Sequence, residues 1–324
     1  MQDVTSVFKM YLFTLTQFMV SRKRVILALF VLFLFSVILA LPPLVSICRR
    51  NVSEKWNEGW QAWKSDDPQK ALECWSVRAI SLAPGRRPSR FYYWRIRALE
   101  RLDMYQEAEK LKKELARKYP FDFYTFLFFK DGGASVSGSM MMTKSLFYPF
   151  PWAEEVRAAS DRTGLSEKMI WSLMRQESKF RRGAVSRSGA LGLMQLMPST
   201  AKDEMAYLDL KSPDIISPGN NILIGASYFV RMNERFRGEL PRTLAAYNAG
   251  MMPVIRWNTL SAEDWVEWIE EIPYPETRDF IRAVLENMEI YSLISGEGPD
   301  FPISRLMTGR PMPVEKMAYA KTSR

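Results

Sequence analysis

Glu177 is the residue in this sequence whose surroundings best suit acid/base chemistry. It lies in the segment GLSEKMIWSLMRQESKF, where Ile170, Leu173, Met174 and Glu177 are spaced i, i+3, i+4 and i+7. This spacing places Glu177 on the apolar stripe of a predicted helix, for which Ser166 is a suitable N-cap. Burial and the negative end of the helix dipole would raise the pKa of the carboxyl, as a general acid requires near neutral pH. The helix alone fits an ordinary solvated glutamate at least as well.

The segment after this helix favours the catalytic interpretation. In SKFRRGAVSRSGALGLMQLMPSTA, Gly189 and Gly192 bracket a tight turn, and Pro198 suits the first turn of another helix. Leucine and methionine side chains surround one amide, Gln195. Such a wall can pack on the faces of a sugar while the amide hydrogen-bonds to its edge. We therefore expect a sugar-binding surface beside Glu177.

The composition excludes several other chemistries. The chain has no histidine, so Ser-His-Asp triads, Cys-His pairs and histidine-ligated zinc are excluded. Its two cysteines, Cys48 and Cys74, form neither a disulfide framework nor a Cys-x-x-Cys metal site. Catalysis must rest on carboxylate, Tyr, Ser or Lys side chains or on a metal bound without histidine, and we predict no metal and no cofactor.

The net charge of +9 favours an anionic partner: nucleic acid, a lipid surface or an acidic polymer. Charge alone does not choose among them. Nucleic acid is disfavoured because no clustered basic motif is present and because the chain has a predicted membrane anchor.

Four motifs, in this order, resemble those of the soluble lytic transglycosylases. They begin at Glu177, Pro218, Leu244 and Glu270 and contain ES with AVSRSGALGLMQLMPSTA, PGNNILIGASYF, LAAYNAG and EEIPYPETRDFIRAVLENMEIY. The resemblance covers about residues 149–293. It implies an all-α fold with a lysozyme-like catalytic domain, whose long groove holds a glycan strand of peptidoglycan.

The resemblance also implies roles for individual residues. Glu177 corresponds to the family's catalytic acid, and Glu271 to a second carboxylate across the groove, although the neighbouring Glu270 matches that position nearly as well. The positions that match the sugar sites are Ser186, Gly192, Gln195, Met197 and Tyr247. From the residues alone, structural roles for Ser186, Gln195 and Tyr247 stay open.

The sequence departs from the family's pattern in two loops. Arg181 and Arg182 stand where Asp or Asn followed by Pro is common, and Met251 to Pro253 replace a usual Pro-Gly pair. These departures affect the expected fine specificity more than the expected activity.

The reaction that the resemblance implies needs one carboxyl. Glu177 protonates the β-1,4 oxygen between N-acetylmuramic acid and N-acetylglucosamine, and the substrate's acetamido group stabilises the cation. Glu177 then deprotonates the C6 hydroxyl, which closes a 1,6-anhydro ring. Two alternatives stay open: simple hydrolysis, as in goose-type lysozymes, and a non-catalytic peptidoglycan-binding scaffold.

An uncharged run of 24 residues, 25–48, precedes these domains. A helix of that length spans roughly 36 Å, enough to cross a bilayer core. With 1–24 as a cytoplasmic segment, we predict a single-pass inner-membrane protein whose catalytic domain faces the periplasm. A cleaved signal peptide and a lipid-modified Cys48 are the alternatives.

The rest of the chain divides by composition and repeats. Residues 53–129 are predicted to form tetratricopeptide-like helical hairpins, because small residues and prolines recur at an offset of 36 or 37 residues. They resemble a shortened version of the family's α-superhelical region, and serve either as a spacer or as a docking surface for a partner protein. The remaining predictions are a linker at 130–148, the catalytic domain at 149–295 and a loosely ordered tail at 296–324.

Overall fold

The protein is described here by a computed structural model covering residues 52–76, 87–129, 136–211, 214–257, 262–298 and 300–311. Within these ranges the regular secondary structure is helical, which confirms the all-α prediction. Two isolated antiparallel bridges, Val185 to Leu191 and Leu191 to Leu196, lie in a loop. The chain divides into two compact units, one ending at Ala108 and one beginning at Glu109.

Fourteen α-helices and one 3₁₀ helix are found in the described ranges. In the first unit these are α1 (52–64), α2 (Pro68–Cys74) and α3 (Ser89–Arg101), and α4 (Tyr105–Lys118) runs across the division. The second unit continues with α5 (Phe123–Phe126), α6 (Gly138–Ser145), α7 (Ala153–Thr163), α8 (Glu167–Ser178), α9 (Pro198–Tyr207), α10 (Pro218–Arg235), α11 (Leu240–Ala249), α12 (Met251–Arg256), α13 (Trp265–Glu271), α14 (Pro275–Ser295) and the 3₁₀ helix Ile303–Met307.

Tryptophans form the core of the first unit. Trp63, Trp75 and Trp94 are almost fully buried, and the ring centroids of Trp63 and Trp94 lie 5.2 Å apart in an edge-on arrangement. Such contacts add to the stabilisation gained from burial alone. The repeat residues Ala62 and Ala98 are also buried. Pro84 of the predicted repeat lies outside the described residues, so the tetratricopeptide assignment stays a prediction.

The core of the second unit is built around α14. This helix packs against α8 and α11, while α10 packs against α7 and α11. Ile170, Leu173 and Met174 of α8 are fully buried, as their spacing predicts. Three tryptophans, Trp257, Trp265 and Trp268, are buried as well. These contacts fix α8, the helix that carries Glu177.

Two segments contain more structure than their composition suggests. The predicted linker includes α6, which begins where the Ser137 hydroxyl accepts a hydrogen bond from the Met140 N–H at 3.3 Å. In the predicted tail, Ile303 is fully buried and its N–H donates to the Glu289 carboxylate at 2.9 Å. The prediction of a loosely ordered tail is therefore wrong for the 3₁₀ helix, while 312–324 lie outside the described residues.

None of the helices in the described part of the chain has both the length and the apolar character that crossing a bilayer requires. The predicted anchor at 25–48 falls outside the described residues, so it stays a prediction.

A buried ion pair joins α13 to α14. An Arg282 Nη atom lies 2.8 Å from a Glu270 carboxylate oxygen, and both side chains are almost completely buried. The Tyr124 hydroxyl donates a hydrogen bond to the same carboxylate at 2.5 Å. The Glu270 carboxylate is therefore buried and already paired, which makes it unsuitable as the second carboxylate of a groove.

We predict that Arg282→Met lowers the free energy of unfolding by about 3–5 kcal/mol, because it leaves the Glu270 charge buried without its partner. Urea denaturation followed by circular dichroism measures this loss. Arg235→Met, at an exposed position on α10, is the matched control and should change stability by less than about 0.5 kcal/mol. Equal losses in the two variants would contradict the role assigned to the pair.

Candidate active site

Glu177 lines a cleft of about 650 Å³ in the second unit. The carboxyl lies in the last turn of α8 and is partly buried. The cleft is lined by the end of α8, the loop that follows it, and α9, α10, α11 and α14: Gln176, Glu177, Ser186, Ser188, Ala190, Gln195, Leu196, Met197, Thr200, Tyr228, Tyr247, Asn248, Ala249, Gly250, Glu276, Asp279 and Phe280. A cavity of this size and mixed polarity suits a few sugar units.

Both ends of α8 are defined by local interactions. The Ser166 hydroxyl accepts a hydrogen bond from the Met169 N–H at 3.3 Å, which confirms the predicted N-cap. At the other end Lys179 adopts a left-handed conformation, and its N–H donates to the Arg175 carbonyl at 3.2 Å. The helix therefore ends just after Glu177, so the Glu177 carboxyl lies at the C-terminal end of α8.

Burial and the charge of the nearby Glu276 carboxylate together raise the pKa of Glu177 to about 8. Desolvation is the larger cause, because the charged carboxylate loses water without gaining a cation. At neutral pH the carboxyl is mostly protonated. It can then donate a proton, as the sequence predicts for this residue.

Asn221 holds the loop that forms one wall of the cleft. Its Oδ1 accepts a hydrogen bond from the Met194 N–H at 2.7 Å, and its Nδ2 donates to the carbonyls of Leu191 and Ile215 at 3.1 and 2.9 Å. The side chain is fully buried, and these bonds use most of its polar groups. Gly192 is required beside it, since a Cβ there would lie 2.3 Å from the Asn221 amide.

The loop also fixes Gln195 and Ser186. Gln195 has a positive φ of 49°, and its Nε2 donates to the carbonyls of Gly192 and Ala184 at 2.9 and 3.2 Å. Its amide nitrogen therefore braces the loop, although the side chain lines the cleft. The Ser186 hydroxyl accepts from the Ala190 N–H at 2.9 Å, so it too has a structural bond.

Tyr247 lies on the cleft at the end of α11, with its hydroxyl donating to the Met194 carbonyl at 3.0 Å. Its ring stacks near Phe280, with centroids 6.3 Å apart. Burial, followed by the charge of Glu177, raises the pKa of Tyr247 well above its usual value. The phenol therefore stays protonated beside Glu177 and couples α11 to the loop.

Of the residues predicted from the sequence, Glu177, Ser186, Gln195, Met197 and Tyr247 line the cleft. Gly192 shapes the loop but does not line the cleft. Glu271, the last residue of α13, is not among the residues that line the cleft. The carboxylates that do line the cleft from α14 are Glu276 and Asp279.

Sequence reasoning missed several cleft residues. Tyr228 lies in the motif PGNNILIGASYF, Asn248 lies beside Tyr247 in LAAYNAG, and Glu276 lies in PYPETR. Each could have been found as a polar or aromatic neighbour within a motif already identified. The Thr277 hydroxyl donates to the Asn248 Oδ1 at 2.7 Å, which orients the amide at the cleft.

Comparison with known proteins finds similarity to lytic transglycosylases. Residues 154–264 match the family model of the transglycosylase SLT domain. A putative soluble lytic murein transglycosylase of Haemophilus influenzae is 31% identical over 160 residues, which cover 47% of this chain and 27% of that protein. The soluble lytic murein transglycosylase of Escherichia coli K12 is 29% identical over 172 residues, covering 51% and 27%. Membrane-bound lytic murein transglycosylase C of Edwardsiella ictaluri is 35% identical over 117 residues, covering 32% and 33%.

The matches span a third or less of the length of these curated relatives.

Two solved structures share the fold. An inactive mutant of the lytic transglycosylase Slt from Pseudomonas aeruginosa has a TM-score of 0.57 at 22% identity and covers 80% of this chain and 57% of that one. A 70-kDa soluble lytic transglycosylase in complex with bulgecin A has a TM-score of 0.56 at 18% identity, covering 79% and 52%. The fold predicted for the catalytic region is thus confirmed.

We predict that Gly192→Ala destabilises the protein more than Gly189→Ala. Both glycines have a positive φ, 81° and 87°, so either alanine brings backbone strain of about 1–2 kcal/mol. Only at position 192 does the new Cβ clash with Asn221, which adds about 1–3 kcal/mol. Chemical denaturation of the two variants compares these costs directly. Equal destabilisation would show that the Asn221 contact does not constrain the loop.

The raised pKa of Glu177 predicts a pH-dependent effect on stability. Between about pH 4.5 and 8 the folded protein keeps a proton that the unfolded chain releases, so stability falls as pH rises across this window. Glu177→Gln cannot titrate. Its free energy of unfolding relative to the wild type should therefore increase from pH 4 to pH 8, as measured by urea denaturation at several pH values. Parallel stability curves for the two proteins would contradict the raised pKa.

Proposed function

We propose that this protein is a lytic murein transglycosylase, since residues 154–264 match the family model of the transglycosylase SLT domain. It cleaves the β-1,4 bond between N-acetylmuramic acid and N-acetylglucosamine in peptidoglycan. The observation that carries this proposal is the position of the Glu177 carboxyl, which is partly buried in the last turn of a helix and lines a cleft of about 650 Å³. The named relatives support the same activity.

In the first step Glu177 acts as the acid. It donates its proton to the glycosidic oxygen, and the bond from that oxygen to C1 of the muramic residue breaks. The acetamido oxygen of the same sugar stabilises the positive charge at C1, so no carboxylate nucleophile from the protein is required. Ordinary glycosidases use a second carboxylate for that purpose.

In the second step Glu177 acts as the base. It removes the proton of the C6 hydroxyl of the muramic residue, whose oxygen forms a bond to C1 and closes the 1,6-anhydro ring. The proton taken up replaces the one donated, and no water is consumed. The nearby Glu276 disfavours a charged Glu177, which favours this return of the proton.

The cleft residues would hold the sugars around this carboxyl. Met197 offers an apolar surface that is 40% exposed, and Asn248 and the Gln195 carbonyl oxygen offer polar contacts to sugar edges. Tyr247, kept protonated, would position groups beside the scissile bond. A binding-only scaffold has no use for a desolvated acid in this place.

Membrane anchoring through residues 25–48 is part of the proposal. The uncharged run in the sequence supports it, and it would place the catalytic domain on the periplasmic side of the inner membrane. The helical region at 53–129 would then separate the cleft from the bilayer, as a spacer or as a docking surface for a partner protein.

We predict that the full chain in detergent releases 1,6-anhydromuropeptides from peptidoglycan sacculi, detected by mass spectrometry as products one water lighter than hydrolysed ones. Glu177→Gln should reduce release at least about 100-fold, because the variant has no proton to donate. Glu167→Gln, at the other end of the same helix, is the matched control and should retain activity. Products with ordinary reducing ends would identify a hydrolase, and normal release by Glu177→Gln would exclude this residue as the acid.

A further inference from the structure

Four cationic side chains on one loop have no role in the mechanism above. Lys179, Arg181, Arg182 and Arg187 are all exposed, and in the described part of the chain none is paired with a carboxylate. The Arg181 Nε donates to the Ser178 carbonyl at 3.1 Å, which leaves its terminal nitrogens for another partner. We call residues 179–187 the basic loop. Its charges are available to an external anion.

The backbone holds this loop in place. Lys179 and Phe180 both have positive φ values, 51° and 64°. The Arg181 N–H donates to the Ser178 carbonyl at 3.2 Å and the Ala184 N–H to the Arg181 carbonyl at 3.0 Å, so two successive turns compact the segment. A fixed backbone lowers the entropic cost of binding through long side chains.

The basic loop is continuous with the cleft at both of its ends. Glu177, a cleft residue, comes two positions before Lys179. At the other end, Arg187 stands between Ser186 and Ser188, which both line the cleft and whose hydroxyl oxygens are 3.0 Å apart. Both ends of the basic loop are therefore adjacent in the chain to residues that line the cleft.

The part of the cleft wall that α14 supplies carries charge of the opposite sign. Glu276 and Asp279 of α14 line the cleft and are exposed. An anionic group on the ligand is repelled there and attracted to the basic loop. The cleft thus selects an orientation for a ligand whose negative charges lie on one side.

We propose that the basic loop binds the carboxylates of the peptide stems that branch from the glycan strand. This inference rests on the proposed function and deepens it. The sugar rings of the strand are uncharged, and the lactyl carboxyl of a substituted muramic residue is consumed in the amide bond to its stem. The free carboxylates therefore belong to the stems. Guanidinium groups bind carboxylates through two parallel hydrogen bonds, which makes the arginines the main contacts.

The test compares two substrates of the full-length protein in detergent: glycan strands with their stems, and strands from which an amidase has removed the stems. We expect Arg181→Gln/Arg182→Gln to raise KM for the stem-bearing strands about tenfold relative to the stem-free strands, with kcat for both little changed. A tenfold effect corresponds to about 1.4 kcal/mol. Arg181→Lys/Arg182→Lys should recover part of the loss, and 0.5 M salt should weaken the preference of the wild type.

Arg235→Gln/Arg237→Gln is the matched control, since it removes the same charge from exposed positions that do not line the cleft. It should leave the ratio of the two KM values unchanged. An equal rise in both KM values for the basic-loop variant would overturn the proposal, as would no rise in either. Loss of binding to phosphatidylglycerol vesicles with an unchanged KM ratio would assign the loop to a lipid surface and also overturn it.

The proposal and the proposed function fail in different ways. If the wild type cleaves neither substrate, the proposed function is wrong. The stem contact is then tested by equilibrium binding of the two kinds of strand to Glu177→Gln and to the same protein carrying Arg181→Gln/Arg182→Gln. A preference for stem-bearing strands that the arginine substitutions abolish supports the stem contact, and its absence contradicts it.

Discussion

The desolvation of one carboxyl is the constraint on which the arrangement of the second unit depends. Glu177 keeps its proton because water is excluded by helices that come from distant parts of the chain, above all α14. That exclusion opposes folding whenever the carboxyl is ionised, so the rest of the unit must supply the compensating stability. The fully buried α8 residues Ile170, Leu173 and Met174 contribute to it directly. A loosely packed α8 could not maintain a partly buried acid at its end.

The loop beside Glu177 has no regular secondary structure, so its backbone polar groups need other hydrogen-bond partners. A wall of irregular backbone exposes many polar groups, which need partners wherever water is excluded. Asn221 satisfies two of them from a neighbouring helix, Gln195 satisfies two from within the loop, and Tyr247 satisfies one from α11. Two of these side chains, Gln195 and Tyr247, therefore both line the cleft and maintain its wall. Under the proposed function, substitutions of these two residues would affect binding and local stability together.

Local sequence signals predicted much of this site. The Ser166 cap, the start of α9 at Pro198 and the positive φ of Gly192 follow from residue type and neighbouring residues. The carboxylates of the cleft wall did not follow from the sequence, because Glu271 and Glu276 are separated by a break between helices, and only tertiary packing decides which of them lines the cleft. The internal hydrogen bonds of Gln195 could not be predicted either, since a sequence does not show that the amide nitrogen donates to carbonyls of its own loop. The linker helix α6 lacked the apolar periodicity that would have indicated it.

The two methionines of the cleft wall differ in exposure, which affects their sensitivity to oxidation. Met194 is fully buried, whereas Met197 is 40% exposed within the cleft. An oxidant that enters the cleft reaches the thioether of Met197 first and converts it to a polar, chiral sulfoxide. The apolar face that Met197 would offer to a sugar ring under the proposed function would then be lost, while Glu177 and the helix that carries it stayed intact. Oxidative damage would in this way weaken substrate binding before it unfolds the protein.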